Sequence, residues 1–329
     1  MLRTDDFDFP LPEELIASRP LERREDSRMM VVDRARGTVE HRAFREFPGH
    51  VRGGDLVIFN NVRVARARFF SNDGRLELLR LQAVTPLHWH CMVRPGRKLR
   101  TGHTVEVGGS TGTVTGVMED GTRIIQWDRP VDEMQHGHLA LPHYMNRDDD
   151  EMDTERYQTV YARQDRSDAV AAPTAGLHFT PGMVESLPHA FITLHVGPGT
   201  FRPVKAEYLQ DHAMHSERYE IEPAAAERIE AAARRIAVGT TVARVLEHCA
   251  RTGPGGKVTG HSGETDIFLF PGAEFKKVDV LLTNFHLPKS TLFMLVCAQG
   301  GKELLQHAYA EAVKERYRFY SYGDCMLIL

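Results

Sequence analysis

Short, nearly continuous apolar runs recur along the chain and read as buried strands: MMVVD at 29–33, DLVIF at 55–59, HAFITLHV at 189–196, IAVG at 236–239, DIFLF at 266–270 and VDVLLTN at 278–284. Between and after the later runs lie segments with helical spacing. These are EMDTERYQTVYA at 151–162, PAAAERIEAAARRI at 223–236, TTVARVLEHCA at 240–250, STLFMLVCA at 290–298 and KELLQHAYAEAVKERY at 302–317. LPEELIAS at 11–18 reads as a short helix opened by Pro12. Strands alternating with helices predict an α/β domain with a mostly parallel sheet.

From 64 to 144 the pattern changes. VARARFF, RLELLRLQAV, LHWHCMVR, HTVEVG, TGTVTGV and TRIIQW are short, alternating and separated by glycine turns. That spacing predicts a small antiparallel β-barrel or sandwich. The expected organisation is a discontinuous α/β domain, 1–63 and 145–329, with the barrel of 64–144 inserted into it.

Composition narrows the picture modestly. The 329 residues, 42% hydrophobic and 26% charged, suffice for more than one core. A net charge of −4 does not announce a nucleic-acid partner, so any basic surface must be local. VRPGRKLR at 93–100 is such a stretch, or a solvated turn; KERYRFYSYGD at 314–324 interleaves basic and aromatic residues and suits either RNA or core. No apolar run is long enough for a membrane span. The acidic N-terminus does not resemble a leader, and four scattered cysteines without a CxxC pair suit a reducing compartment. The expected location is the cytoplasm.

Candidate chemistry lies where strands end, because ligands of open α/β sheets bind beyond the carboxyl ends of the strands. DLVIF runs into Asn60, Asn61 and Arg63; HAFITLHV carries His195 and leads to Thr200; IAVG leads to Thr240 and Thr241; VDVLLTN leads through Asn284 to His286. Thr240 and Thr241 open a helix, where free N–H groups suit a carboxylate or simply need a cap. His178 and Thr174 interrupt the small, apolar stretch AAPTAGLHFT. In DHAMHSE, His212 and His215 would share a helix face, with Asp211 and Glu217 flanking. That group suits zinc, proton transfer, hydrogen bonding to substrate, or structure alone.

Taken together, FDFPLPEELIASRPLERREDSRMMVVDR, GDLVIFNNVRVARARF, AVAAPTAGLHFT, ITLHVGPGTFRPV, DHAMHSERYEI, IAVGTT, LLTNFHLPKSTLFMLVCA and YRFYSYGDCMLI closely resemble, in order, the S-adenosylmethionine:tRNA ribosyltransferase-isomerase family of queuosine biosynthesis. The resemblance spans the chain and is weakest at 70–150. It implies an α/β domain with an inserted β-barrel. It implies transfer of the ribosyl part of S-adenosylmethionine to 7-aminomethyl-7-deazaguanine at the tRNA wobble position, with isomerisation to epoxyqueuosine and release of adenine and methionine. S-adenosylmethionine is then a substrate, tRNA the partner, and no metal is implied. A monomer is expected.

On this reading His178, His195 and His215 are the candidate catalytic residues. Asn60, Asn61, Arg63, Thr174, Thr200, His212, Glu217, Thr240, Thr241, Asn284 and His286 are the candidate substrate-binding residues. The family usually continues its Gly-Thr-Thr turn with Ser-Val-Arg; here Val242-Ala243-Arg244 follows, and one hydroxyl is lost. The segment between HFT and ITLHVG is also short. Two other readings stand beside this one: a metal-dependent hydrolase built on Asp211, His212 and His215, and a tRNA-binding homologue without activity.

Overall fold

The computed structural model describes residues 2–197, 204 and 206–329. In chain order the strands are β1 (Arg28–Asp33), β2 (Thr38–Ala43), β3 (Asp55–Asn60), β4 (Arg68–Phe70), β5 (Glu77–Thr85), β6 (His88–Arg94), β7 (Thr104–Val107) and β8 (Ser110–Val117). There follow β9 (Arg123–Trp127), β10 (His189–Leu194), β11 (Glu217–Ile221), β12 (Arg234–Val238), β13 (His261–Thr265), β14 (Val280–Asn284) and β15 (Cys325–Ile328). The helices are α1 (Glu133–His136), α2 (Glu151–Arg156), α3 (Pro181–Ser186), α4 (Pro223–Ala231), α5 (Thr240–Thr252), α6 (Thr291–Gly300) and α7 (Lys302–Lys314).

Nine strands form one sheet in the order β13-β11-β10-β3-β12-β14-β15-β1-β2. Its centre, β10-β3-β12-β14, is parallel throughout, and antiparallel strands continue it on both sides. The expected α/β sheet is therefore present. β3 and β14 are buried along their whole length, which is why their sequences read as unbroken apolar runs. One face packs on α5 and α6 through Ile58, Ala237, Val242, Leu281 and Phe293. The other packs on Phe44, Phe47 and Phe179.

The strands from β4 to β9 make the second, antiparallel sheet, ordered β4-β5-β6-β9-β8-β7. Its two edges approach each other: Asn72 N–H, just past β4, donates to the Glu106 carbonyl of β7 at 2.9 Å. Asn72 also exchanges side-chain bonds with the Gly108 backbone at 2.7 and 2.9 Å. That nearly closes a barrel and leaves few unpaired edge groups. Trp89 and Trp127 fill it, with ring centroids 4.9 Å apart.

Several local expectations differ from what forms. DIFLF is not a strand; β13 stops at Thr265, and the apolar residues that follow pack on the core as irregular chain. α2 stops at Arg156, before YQTVYA. There the Gln158 side chain takes both backbone groups of Val64, at 3.0 and 2.8 Å, so a tertiary contact outcompetes the helix. PAAAERIEAAARRI divides into α4 and the start of β12. LPEELIAS forms only a 3-10 turn over Glu13–Leu15. α3 and α4 are short, with six and nine residues.

Candidate active site

Because the central strands are parallel, β3, β10, β12 and β14 deliver their carboxyl ends to one edge of the sheet. A cavity opens there. Strand ends and turns supply its polar wall: Thr174, Thr240, Thr241, Asn284, His286 and Ser321. Val196, Phe285, Leu292 and Tyr320 supply the apolar part.

The turn from β12 into α5 is built for close approach. Gly239 sits at φ 91°, a conformation that side chains beyond glycine rarely adopt. As a glycine it offers no side-chain cap, so the first N–H groups of the 13-residue α5 stay available beside the Thr240 and Thr241 hydroxyls. One turn on, Arg244 also borders the cavity. Its guanidinium pairs with Glu217, both side chains being almost fully buried. Arg244 Nε has no partner, while the other Glu217 oxygen accepts the Gly197 N–H at 3.0 Å.

Two histidines differ in their relation to the cavity. His286 borders it. Its Nε2 lies 2.8 Å from Thr283 Oγ1, and among the described residues no hydrogen bond to its Nδ1 appears. Burial lowers its pKa from 6.5 to about 3, so the ring is neutral at physiological pH. His178 sits behind the wall. Its Nδ1 lies 2.7 Å from Ser27 Oγ and its Nε2 3.2 Å from Asn284 Oδ1. Asn284 Nδ2 donates to the carbonyls of Tyr320 and Ser321, at 2.8 and 3.3 Å, which turns Oδ1 toward His178. The ring therefore carries its proton on Nε2 and accepts from Ser27. Burial lowers the His178 pKa to about 4.

Asn60 is wholly buried and ties strand ends together. Its Oδ1 accepts from Leu194 N–H at 3.0 Å and Val62 N–H at 3.2 Å. Its Nδ2 donates to Leu194 O at 3.0 Å and reaches Thr241 Oγ1 at 3.5 Å. It thus supports Thr241 from behind.

Other residues picked from the sequence lie elsewhere. Asn61 accepts from the Thr193 hydroxyl and borders a different cavity. The period-2 alternation past β10 turns Val196 into the site and His195 away, among Arg218, Asp168 and Arg166. Arg63 makes its backbone bond to Arg166 and does not border the site. His212 packs against Phe268, and His215 is exposed. The helix expected to align that pair does not form: a 3-10 turn ends at Asp211 and His212 is already extended. Among the described residues no group of three or more His, Cys, Asp or Glu could hold a metal. Thr200 lies outside the described residues.

Arg244, Thr283, Tyr320 and Ser321 border the cavity but were not among the candidates. Arg244 stands one helical turn after Thr240 and Thr241, a spacing that could have flagged it. Tyr320 and Ser321 come from the loop before β15, in YRFYSYGD, where Tyr317 and Phe319 are core. Nothing local distinguishes the two groups.

A parallel sheet with a polar, glycine-turned cavity at its carboxyl edge, and an antiparallel near-barrel set into the chain, defines an α/β enzyme whose site offers a helix start to a carboxylate or phosphate group. The comparisons are more specific. A family model described as queuosine biosynthesis protein matches residues 4–328, and the chain belongs to that family. An S-adenosylmethionine:tRNA ribosyltransferase-isomerase from Geobacter metallireducens is 47% identical over 99% of this chain and all of its own length. One from Desulfitobacterium hafniense is 44% identical over the full length of both. A crystal structure of S-adenosylmethionine tRNA ribosyltransferase from Thermotoga maritima matches 98% of this chain and 100% of its own, at 36% identity and a TM-score of 0.57.

Proposed function

We propose that the cavity at the carboxyl edge of the large sheet transfers and isomerises the ribosyl part of S-adenosylmethionine onto 7-aminomethyl-7-deazaguanine at the tRNA wobble position. The products are epoxyqueuosine in the RNA, adenine and methionine. The observation that carries this reading is full-length identity of 43–47% to enzymes bearing that activity in their name.

S-adenosylmethionine brings a sulfonium that acidifies the neighbouring 5′ C–H bonds and leaves as methionine. The residues present suit it. The α5 N–H groups and the Thr240 and Thr241 hydroxyls form an end for the methionine carboxylate. Arg244 adds positive charge there, held in place by Glu217. The neutral His286 takes and returns protons at the ribosyl carbon or at departing adenine. Asn284, its amide held by His178 and the Tyr320 and Ser321 carbonyls, fixes the cavity wall, and Thr174 offers a contact for a ribose hydroxyl. Val196, Phe285 and Tyr320 exclude water. Asn60, His178 and Glu217 act as positioning residues.

We further propose that 1–63 and 145–329 form the catalytic domain and 64–144 an inserted one, and that the chain works as a cytoplasmic monomer without a metal. No helix among the described residues is long and apolar enough to cross a membrane. The test mixes the protein, S-adenosylmethionine and an anticodon stem-loop carrying the deazaguanine. Free adenine and the matching RNA mass gain are expected in step, with or without a chelator. A folded protein that releases no adenine would overturn the reading.

A further inference from the structure

Beside the active-site cavity lies a second cleft of about 300 Å³, lined by Arg24, Arg156, Ser27, His178 and Ser321. Ser321 borders both spaces. The wall between them includes the His178–Asn284 hydrogen bond, since His178 faces the cleft and Asn284 the cavity.

The charge in this cleft is unbalanced. Arg24 donates to the Leu177 and Glu155 carbonyls, at 3.1 and 3.0 Å. Arg156 donates to the Glu22 carbonyl at 2.8 Å. Arg318, whose charge acts on His178 of the lining, donates to the Arg19 carbonyl. Among the described residues none of the three makes an ion pair. Their neighbours do: Arg23 is paired with Glu25, Arg19 with Asp150 and Arg147 with Asp153. The carboxylates that act on them without a direct ion pair are the exposed Glu155 on Arg24, Glu25 on Arg156 and the buried Asp324 on Arg318. Arg156 Nε and Arg318 Nη1 are buried without any hydrogen-bond partner. Burial lowers the pKa of Arg24 and of Arg318, and Arg156 adds to the effect on Arg24. Partly desolvated guanidiniums that touch no carboxylate are costly, and a bound anion with several acceptor oxygens would relieve that cost.

We propose that Arg24, Arg156 and Arg318 bind a backbone phosphate of the RNA, next to the nucleotide that enters the active-site cavity. The assignment rests on the active-site reading above. A phosphodiester fits for three reasons. It carries one negative charge and two free oxygens, as two or three guanidiniums require. The cleft opens immediately beside the cavity, as the phosphate of a nucleotide reaching into that cavity must. The His178–Asn284 bond lies between the two, so the same contact would set substrate register.

The test uses the full-length protein and anticodon stem-loops in which single phosphates flanking the modified nucleotide are replaced by uncharged methylphosphonates. At one flanking position the wild-type protein should bind about tenfold more weakly. In Arg156→Gln the same replacement should cost little, and the slope of log Kd against log salt should fall by about 0.7. Arg156→Lys, which keeps the charge, should retain most of that slope. Flanking methylphosphonates that all bind within about twofold of the native loop would overturn the proposal, even if Arg156→Gln fails to fold. Competition by inorganic phosphate without any effect of backbone neutralisation would make the cleft a free-phosphate site and would also overturn it. Adenine release by the wild-type protein scores the active-site reading separately, so the two can fail independently.

Discussion

Two guanidinium–carboxylate pairs, one at each sheet, are built differently. In the near-barrel, Arg80 of β5 lies under Trp89, with its guanidinium 4.9 Å from the ring centroid, and meets Glu133 of α1 in a two-pronged contact. Arg80 is buried, but the Glu133 side chain is 46% exposed. At the edge of the large sheet, Arg244 and Glu217 leave only 4% and 5% of their side chains exposed, and Arg244 still keeps Nε unpaired. The first pair is a packing device at a surface. The second holds charge in a place that stability alone would not choose, since a buried pair rarely repays its desolvation. The difference separates a scaffold from a site: the near-barrel is filled by a tryptophan core, while the large sheet buries Asn60, Thr241, Asn284, His178 and His286 at one end.

That contrast can be broken most forcefully at the two carboxylates. Glu217→Gln should destabilise the fold by about 3–5 kcal/mol, because it strands a buried guanidinium, and should weaken S-adenosylmethionine binding. Glu133→Gln should cost about 1 kcal/mol or less. Chemical denaturation of both variants checks this; equal costs would erase the distinction.

Acid comes next. His178 and His286 stay neutral in the fold, with pKa values lowered to about 4 and about 3, against 6.5 when unfolded. The unfolded chain therefore binds more protons below pH 6.5, and stability falls as pH drops from there toward 4. Each histidine contributes roughly 3 kcal/mol of that loss by pH 4. A His178→Phe variant should show a shallower acid slope than the wild type; an unchanged slope would contradict the burial argument.

The smallest expected effect sharpens the role of His178. Its ring holds Asn284 from behind the cavity wall and does not line the cavity. His178→Gln should lower kcat about tenfold while leaving KM for S-adenosylmethionine nearly unchanged. Loss of all turnover from a folded variant would put the imidazole itself in the chemistry.

Legibility in the sequence followed the same division. The parallel centre was readable because its strands are buried on both faces and leave unbroken apolar runs. Thr240, Thr241, Asn284 and His286 were readable because parallel strands must end at one edge. His195 was not, since one step of alternation separates it from Val196 and decides which faces the cavity. His178 was rightly singled out as an imidazole in core, but only the Ser27 and Asn284 contacts show that it stands behind the wall. Tyr320, Ser321 and the cleft arginines are brought together by loops from distant parts of the chain, and no local period records that. The helix that stops short of YQTVYA has the same origin: the Gln158 side chain, bonded to Val64, replaces the local bonds that propensity favours.

The account turns on His286 as the proton-moving group of the cavity. The most direct measurement is single-turnover adenine release by His286→Ala beside the wild type, with S-adenosylmethionine and the modified stem-loop both saturating. The account predicts a rate at least about a hundredfold below wild type, from a variant that still binds both substrates. Adenine released at the wild-type rate would remove His286 from the chemistry and contradict the central claim.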